Sequence, residues 1–215
     1  HQQYAKASLI ACFLLWYTCI NAQSFSFNGP ASTAYQQLLN LHFDEAQQLS
    51  ATDAPSVYVA NVARVWELLL NEDVSLLDTY ESYFEKSTNM LEQSTAANLF
   101  VKADLALYWS VVYLKFGHEF TAFLELRRAY QVALLCQKKY PQFIPIKKTL
   151  GLLQIAMSSV PEKYTWITDF LSMKGNLEEG IKNLHSVVVS ATELNTEALI
   201  LMALVQGYVL QQPLK

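Results

Sequence analysis

Glycine is scarce in this chain, and so is concentrated positive charge. The six glycines among 215 residues are well below the average usage of about 7%, which argues against sheet-and-loop folds with glycine-rich turns. The basic clusters are only pairs, such as Arg127-Arg128, and the net charge is −4. Nucleic-acid binding requires a concentrated positive stripe, so the sequence excludes this class of function.

Hydrophobic residues are abundant instead, at 52% of the chain, with 13% aromatic. This composition supplies a sizeable core and argues against disorder. The length suits one domain or a short array of repeats. Leu, Ala, Gln, Glu and Lys are plentiful, and these residues favour helices.

The N-terminal segment differs from the rest of the chain. Lys6 precedes a mostly apolar run from Leu9 to Ile20, and small Ala22 follows. This order predicts a signal peptide over residues 1–22, with an uncleaved membrane anchor as the alternative, although a spanning helix needs about 20 apolar residues. Cleavage after Ala22 would leave Cys136 as the one cysteine, so no intrachain disulfide could form.

Residues 23–30 are predicted to be a short linker, and apolar residues then recur at helical spacing almost to the end. The predicted helices cover residues 34–49, 56–70, 73–91, 94–116, 119–140, 146–159, 162–173, 177–190 and 192–210. The spacing of Ser190 and Glu193 predicts a capping box for the last helix. Helices joined by short loops are antiparallel neighbours. We therefore expect an all-α fold, a stack of antiparallel helix hairpins over residues 31–212.

Small residues recur at fixed spacing across this region. They are separated by seven, five and seven residues in one segment, at Ser110, Gly117, Ala122 and Ala129. Gly175 and Gly180 fit the same register, as does Ala46 with Leu41 in the glycine position. These spacings resemble the tetratricopeptide repeat, a pair of antiparallel helices in 34 residues. The resemblance implies a right-handed α-solenoid that binds a protein or peptide partner.

A narrower resemblance covers residues 150–184. Gly151, Pro161, Gly175 and Gly180 carry it. The pattern is similar to divergent tetratricopeptide proteins typified by the tetratricopeptide-repeat-39 group, and secreted bacterial proteins share it. This resemblance implies a scaffold that is usually longer than 215 residues.

Catalytic motifs are weak by comparison. Gly175 to Lys182 imitates a phosphate-binding loop, but Ile181 stands where the lysine should be and a helix precedes the loop instead of a strand. Four scattered histidines do not have metal-ligand spacing, and Cys136 falls among apolar residues in a helix. We therefore expect no enzyme activity, no cofactor and no metal site. A dense aromatic group is predicted to be core, with a ligand groove as the alternative: Tyr108, Trp109, Tyr113, Phe116, Phe120, Phe123 and Tyr130.

The last predicted helix is apolar on nearly every face. A repeat array normally ends in a cap with a polar outer face, so the array is predicted to continue beyond residue 215 or to form a homodimer through this helix. The function expected from the sequence is a non-catalytic, exported scaffold, periplasmic or associated with the cell envelope. A sugar- or lipid-binding envelope domain and an accessory part of a longer enzyme are the alternatives.

Overall fold

The computed structural model describes residues 25–159 and 175–209. Within these ranges the chain forms helices and turns without a strand, which confirms the all-α prediction. The predicted signal peptide at residues 1–22, the helix at 162–173 and Pro161 lie outside the described residues. The described helices are α1 (Pro30–Leu39), α2 (Phe43–Gln47), α3 (Ala54–Asn71), α4 (Leu77–Asn89), α5 (Ala96–Lys115), α6 (Glu119–Lys139), α7 (Ile146–Ser158), α8 (Leu177–Val188) and α9 (Asn195–Leu204).

Helix α5 forms the centre of the core and packs against α3, α6 and α7. Most of its side chains are buried, including Leu105 and Trp109, as expected for a helix that is apolar all round. It begins where the Thr95 hydroxyl accepts a hydrogen bond from Asn98 N at 3.1 Å. Helix α3 begins at a capping box in which Asp53 and Ser56 bond to each other's backbone N–H groups. These caps satisfy amide groups that lack partners in the first helical turn.

Two turns between consecutive helices have the same geometry. Gly117, between α5 and α6, has φ 80°, and Leu41, between α1 and α2, has φ 64°. The next residue bonds back in both turns, His118 N to Tyr113 O at 2.8 Å and His42 N to Gln37 O at 2.9 Å. Left-handed backbone favours glycine, so Leu41 adopts here a conformation that side chains disfavour.

Helices α7 and α8 approach each other at two glycines. A Cβ atom added to Gly151 would lie 2.8 Å from Gly180 O, and one added to Gly180 would lie 2.7 Å from Ile155 Cγ1. A Cβ atom added to Gly175, just before α8, would lie closer still, 2.1 Å from Ser158 N. The absence of side chains at these positions therefore sets the distance between the two helices.

The segment before α1 has no helix over residues 25–28, in agreement with the predicted linker, but its side chains belong to the core. The side chains of Phe25 and Phe27 are only 6% and 3% exposed. The Phe27 ring stacks on Tyr35 with centroids 4.1 Å apart, and its backbone N–H donates to the Glu193 carboxylate. Glu193 therefore does not form the predicted capping box with Ser190, and α9 begins after Leu194 without a side-chain cap.

The predicted last helix is shorter than expected and ends in a different geometry. Helix α9 stops at Leu204, and a π-helical turn follows over Val205–Val209. Ala198 and Met202 are buried against the protein, whereas Leu199, Leu204 and Tyr208 are exposed. An apolar face thus remains on this helix, as its sequence predicts.

Candidate functional site

A cluster of charged and hydroxyl side chains lies in the interior where five helices meet. We call it the Lys148 cluster. It consists of Tyr35 from α1, Tyr58 from α3, Asp104 and Tyr108 from α5, Lys148 and Thr149 from α7, and Glu197 from α9. Lys148, Asp104 and Glu197 are fully buried. Charged side chains are almost never fully buried unless paired, so this group distinguishes the interior from an ordinary helical core.

The carboxylate of Glu197 is the point on which the donors of the cluster converge. Lys148 Nζ donates to Oε1 at 2.6 Å, and Tyr58 Oη lies 2.8 Å from both carboxylate oxygens. Tyr108 Oη donates to Oε1, and Tyr35 Oη donates to Oε2 at 3.3 Å. One carboxylate thereby receives hydrogen bonds from α1, α3, α5 and α7, and bonds to a charged acceptor are the stronger kind.

Asp104 holds the lysine from the other side. Lys148 Nζ donates to Asp104 Oδ2 at 2.8 Å, and Thr149 Oγ1 donates to Oδ1 at 2.6 Å. Burial raises the pKa of Asp104 above its usual value, and the adjacent Lys148 ammonium offsets only part of this. Burial also lowers the pKa of Lys148, but Asp104 and Glu197 outweigh it, so the net change is upward. Lys148 therefore stays charged, which two buried carboxylates require.

Aromatic rings enclose the ammonium group. Lys148 Nζ lies 5.0 Å from the ring centroid of Tyr58 and 5.2 Å from that of Tyr108, within the range of a cation–π contact. Phe25 packs edge-on against Tyr58 at 5.8 Å. Burial, and then the nearby carboxylates, raise the pKa values of the Tyr58 and Tyr108 hydroxyls well above the usual value. The tyrosines consequently act as donors that keep their protons.

A second polar group is formed by side chains of α4, α5 and α6. Tyr113 Oη donates to Glu81 Oε1 at 2.6 Å, and Arg128 Nη1 lies 3.4 Å from Glu125 Oε1. Burial raises the pKa of Glu125, whose Oε2 has no hydrogen-bond partner among the described residues. Within residues 25–159 and 175–209, no three His, Cys, Asp or Glu side chains are placed to hold a metal ion.

An open cleft of about 640 Å³ lies between α1, α2 and the start of α3. The wall formed by α1 consists of the small side chains of Pro30, Ala31 and Ala34. Polar side chains, including Gln37 and Glu45, border it. The remaining lining residues are Asn28, Thr33, Gln48, Leu49, Ser50, Thr52, Asp53 and Ser56. The cleft is accessible to solvent, whereas the Lys148 cluster is not.

The residues predicted as a repeat signature lie at helix contacts and turns. The backbone N–H groups of Ala46, Ala122 and Gly180 each donate to the carbonyl of the N-cap residue just before their helix, at 3.2, 2.9 and 2.9 Å. These three residues, together with Ser110 and Ala129, are buried, while Gly117 occupies the left-handed turn. The same first bond is made by Val57, Leu99 and Ala198 at the starts of other helices, so it does not distinguish a repeat, and the tetratricopeptide assignment stays a prediction.

The alternative sites named from the sequence have different outcomes. Cys136 is fully buried beside Ala96 O, as expected for a cysteine among apolar residues in a helix, and burial raises its pKa to about 12. In the aromatic group, Trp109 and Tyr113 are core residues, whereas Phe120 is 75% exposed. None of the aromatic group is among the residues that line the cleft described above.

Sequence reasoning missed the Lys148 cluster entirely. The available signal was a charged residue within an otherwise apolar segment, such as Asp104 in the helix treated as apolar all round, or Glu197 in "TEALILM". Burial of those positions followed from the periodicity, and a buried charge requires a partner. The identity of the partner Lys148 could not be deduced from spacing.

Comparisons with known proteins do not assign this chain to a family. Neither a family model, nor a curated protein, nor a solved structure matches this chain. Among the helices in the described part of the chain, none has the length and apolar character needed to cross a membrane.

Proposed function

We propose that this chain is a non-catalytic helical scaffold that binds a protein or peptide partner. The observation that carries the proposal is the open cleft between α1, α2 and the start of α3. Ala31 and Ala34 give one wall little bulk, so an extended chain can approach closely. Amide and hydroxyl groups such as those of Gln37 and Thr52 can bond to a peptide backbone. This combination of an apolar wall and a few polar groups is typical of binding sites.

The charge of the cleft favours a class of partner. Glu45 and Asp53 line it, and its lining contains no Lys or Arg. Asp53 already accepts a hydrogen bond from Ser56 N at 2.9 Å, which leaves Glu45 as the carboxylate available to a ligand. We therefore expect a neutral or basic peptide to bind better than an acidic one.

The proposed architecture is a stack of antiparallel helix pairs of the tetratricopeptide type in which α9 returns to α1 and α3 through Glu197. The three-residue connection between α5 and α6 and the equivalent turn after α1 support it. The proposed location is the periplasm or cell envelope after removal of residues 1–22, with an uncleaved anchor as the alternative. The exposed apolar residues of α9 are consistent with a homodimer through this helix or with further repeats.

The cleft can be tested with two tryptophan variants on the same helix. Thr33 is an exposed cleft residue, and Gln36 is also exposed on α1 but does not line the cleft. Peptides selected from a random library against the wild type should lose affinity for Thr33→Trp and retain it for Gln36→Trp. Glu45→Lys should reverse the preference for basic sequences.

The alternative functions predict different results in the same binding measurements. Saturable binding of a sugar or of lipid vesicles, without any selected peptide, would contradict the scaffold proposal and support an envelope ligand-binding domain. Equal loss of peptide binding in Thr33→Trp and Gln36→Trp would place the binding surface away from the cleft.

A further inference from the structure

We propose that the Lys148 cluster is a carboxylate-binding site whose ligand in this structure is the chain's own Glu197, carried by α9 as a detachable arm. The ligand class is a monocarboxylate, as a free small acid or as an acidic side chain on another segment. This inference is independent of the cleft and of the function proposed for it.

The first argument is the division of roles between α9 and the rest of the protein. Helix α9 contributes only an acceptor, whereas all the donors belong to α1, α3, α5 and α7. The receptor half is spread over four helices and the ligand half is one side chain. This is the arrangement expected of a binding site and its ligand.

The second argument is that the receptor half is held in place without Glu197. Asp104 fixes Lys148 Nζ at 2.8 Å, and Thr149 in turn fixes Asp104 at 2.6 Å. Lys148 also donates to Tyr58 Oη. Removal of Glu197 therefore leaves an oriented cation, and it leaves the hydroxyls of Tyr35 and Tyr108 without their acceptor. Buried donors that lack a partner strongly favour a replacement acceptor.

The third argument concerns the attachment of α9. Its fully or nearly buried residues are Glu197, Ala198 and Met202, while Leu194 and Val205 are buried directly before and after it and Leu201 is partly buried against the core. Leu199 and Leu204 point away from the core and are about half exposed, at 56% and 49%. The helix also begins without a side-chain cap. The segment is held by the Glu197 carboxylate together with a few apolar side chains, and its outer face is exposed, so we expect loss of the carboxylate contact to favour local opening of the short helix.

The geometry selects among anions. Both oxygens of one planar group are used, Oε1 by Lys148 and Tyr108, and Oε2 by Tyr35, with Tyr58 between them. The neighbouring Asp104 carboxylate disfavours any ligand with more than one negative charge. A third oxygen, as in phosphate, would have no donor in the cluster. A monocarboxylate fits all of these conditions.

The experiment uses Glu197→Ala in the full chain and adds sodium acetate or propionate. The truncated side chain leaves space for a small acid, so we expect lower thermal stability that acetate restores in a saturable manner. Acetamide, which has the same shape without the charge, should be at least about 10-fold less effective, and sodium chloride should have no specific effect. The matched control is Glu178→Ala on the exposed surface of α8, where acetate should produce no shift.

The arm is tested separately by hydrogen exchange. In Glu197→Gln, which conserves the volume of the side chain, amides of α9 should exchange at least about 10-fold faster than in the wild type, while those of α5 and α7 remain unchanged. If the amides of α9 exchanged only when those of α5 also exchanged, α9 would not be a detachable arm. Failure of acetate to stabilise Glu197→Ala would overturn the binding site, and so would a Glu197→Ala chain that stays unfolded in acetate while Glu197→Gln folds.

Discussion

At the residue scale, Lys148 determines whether the interior can hold two carboxylates. Its ammonium lies 2.8 Å from Asp104 Oδ2 and 2.6 Å from Glu197 Oε1. Removing one partner of a buried charge pair leaves an uncompensated charge, which costs more than the pair contributes. Asp104 is different, because burial raises its pKa and so disfavours its charged form. The two residues should therefore respond very differently to substitution.

We predict that Lys148→Met destabilises the fold by about 3–5 kcal/mol, because it leaves both carboxylates without their cation. Asp104→Asn should cost only about 1–2 kcal/mol, since the amide keeps the acceptor for Lys148 and removes the excess negative charge. Urea unfolding followed by circular dichroism measures both values, with Lys147→Met as the neighbouring control. Equal losses for Lys148→Met and Lys147→Met would mean that the buried ion pairs contribute little.

We also predict an unusual sensitivity to alkaline pH. Burial and the nearby carboxylates raise the pKa values of Tyr58 and Tyr108, and the pKa of Lys148 is raised as well. The folded state then binds these protons more tightly than the unfolded chain, so their stabilisation is complete below about pH 10 and is lost at higher pH. Above its unfolded-state pKa, each group lowers the free energy of unfolding by about 1.4 kcal/mol per pH unit. Urea midpoints measured from about pH 9 to about pH 11 should fall less steeply for Tyr108→Phe, and an unchanged slope would contradict the assignment.

At the element scale, the α7–α8 pair depends on the absence of side chains. The contact brings Gly180 O within 2.8 Å of the position that a Cβ on Gly151 would occupy. Backbone atoms cannot move aside as the end of a flexible side chain can. The normal preference of a helix for alanine over glycine, about 1 kcal/mol, should therefore be reversed at this contact.

Gly180→Ala is accordingly predicted to destabilise the protein by about 1–3 kcal/mol through overpacking. Gly207→Ala is the matched control, because it also lies in a helical turn but has nothing within 4 Å of its Cβ position. That control should leave the thermal midpoint unchanged or raise it slightly. Stabilisation by Gly180→Ala would show that α7 and α8 can separate without cost.

The elements themselves were largely predictable from the sequence, because helical periodicity is a local property. Helix α3 was predicted at 56–70 and spans Ala54–Asn71, and α6 was predicted at 119–140 and spans Glu119–Lys139. The Lys148 cluster was not predictable, because Tyr35 and Glu197 are 162 residues apart. No spacing rule connects positions so distant, and only the tertiary arrangement brings them together.

At the scale of the whole molecule, the beginning and the end of the described chain meet. Phe27 N donates to Glu193, and Tyr35 donates to Glu197. In a linear repeat stack each unit contacts only its neighbours, so these contacts are not those of an extended open array. They make helix α9 return across the first helices. The stability of the two ends should consequently be coupled.

This coupling gives the last prediction. Phe27→Ala removes a 3%-exposed ring that stacks on Tyr35, and we expect a loss of about 3–5 kcal/mol. Because Tyr35, on which this ring stacks, donates a hydrogen bond to Glu197 of α9, hydrogen exchange should accelerate in α1 and α9 together. The control is Leu91→Ala, a substitution at a buried position between α4 and α5. It should not accelerate amide exchange in α9 more than in α5. If Phe27→Ala accelerated exchange only in α1, α2 and α3, the molecule would behave as a linear stack, since destabilisation would spread only between neighbours in the chain.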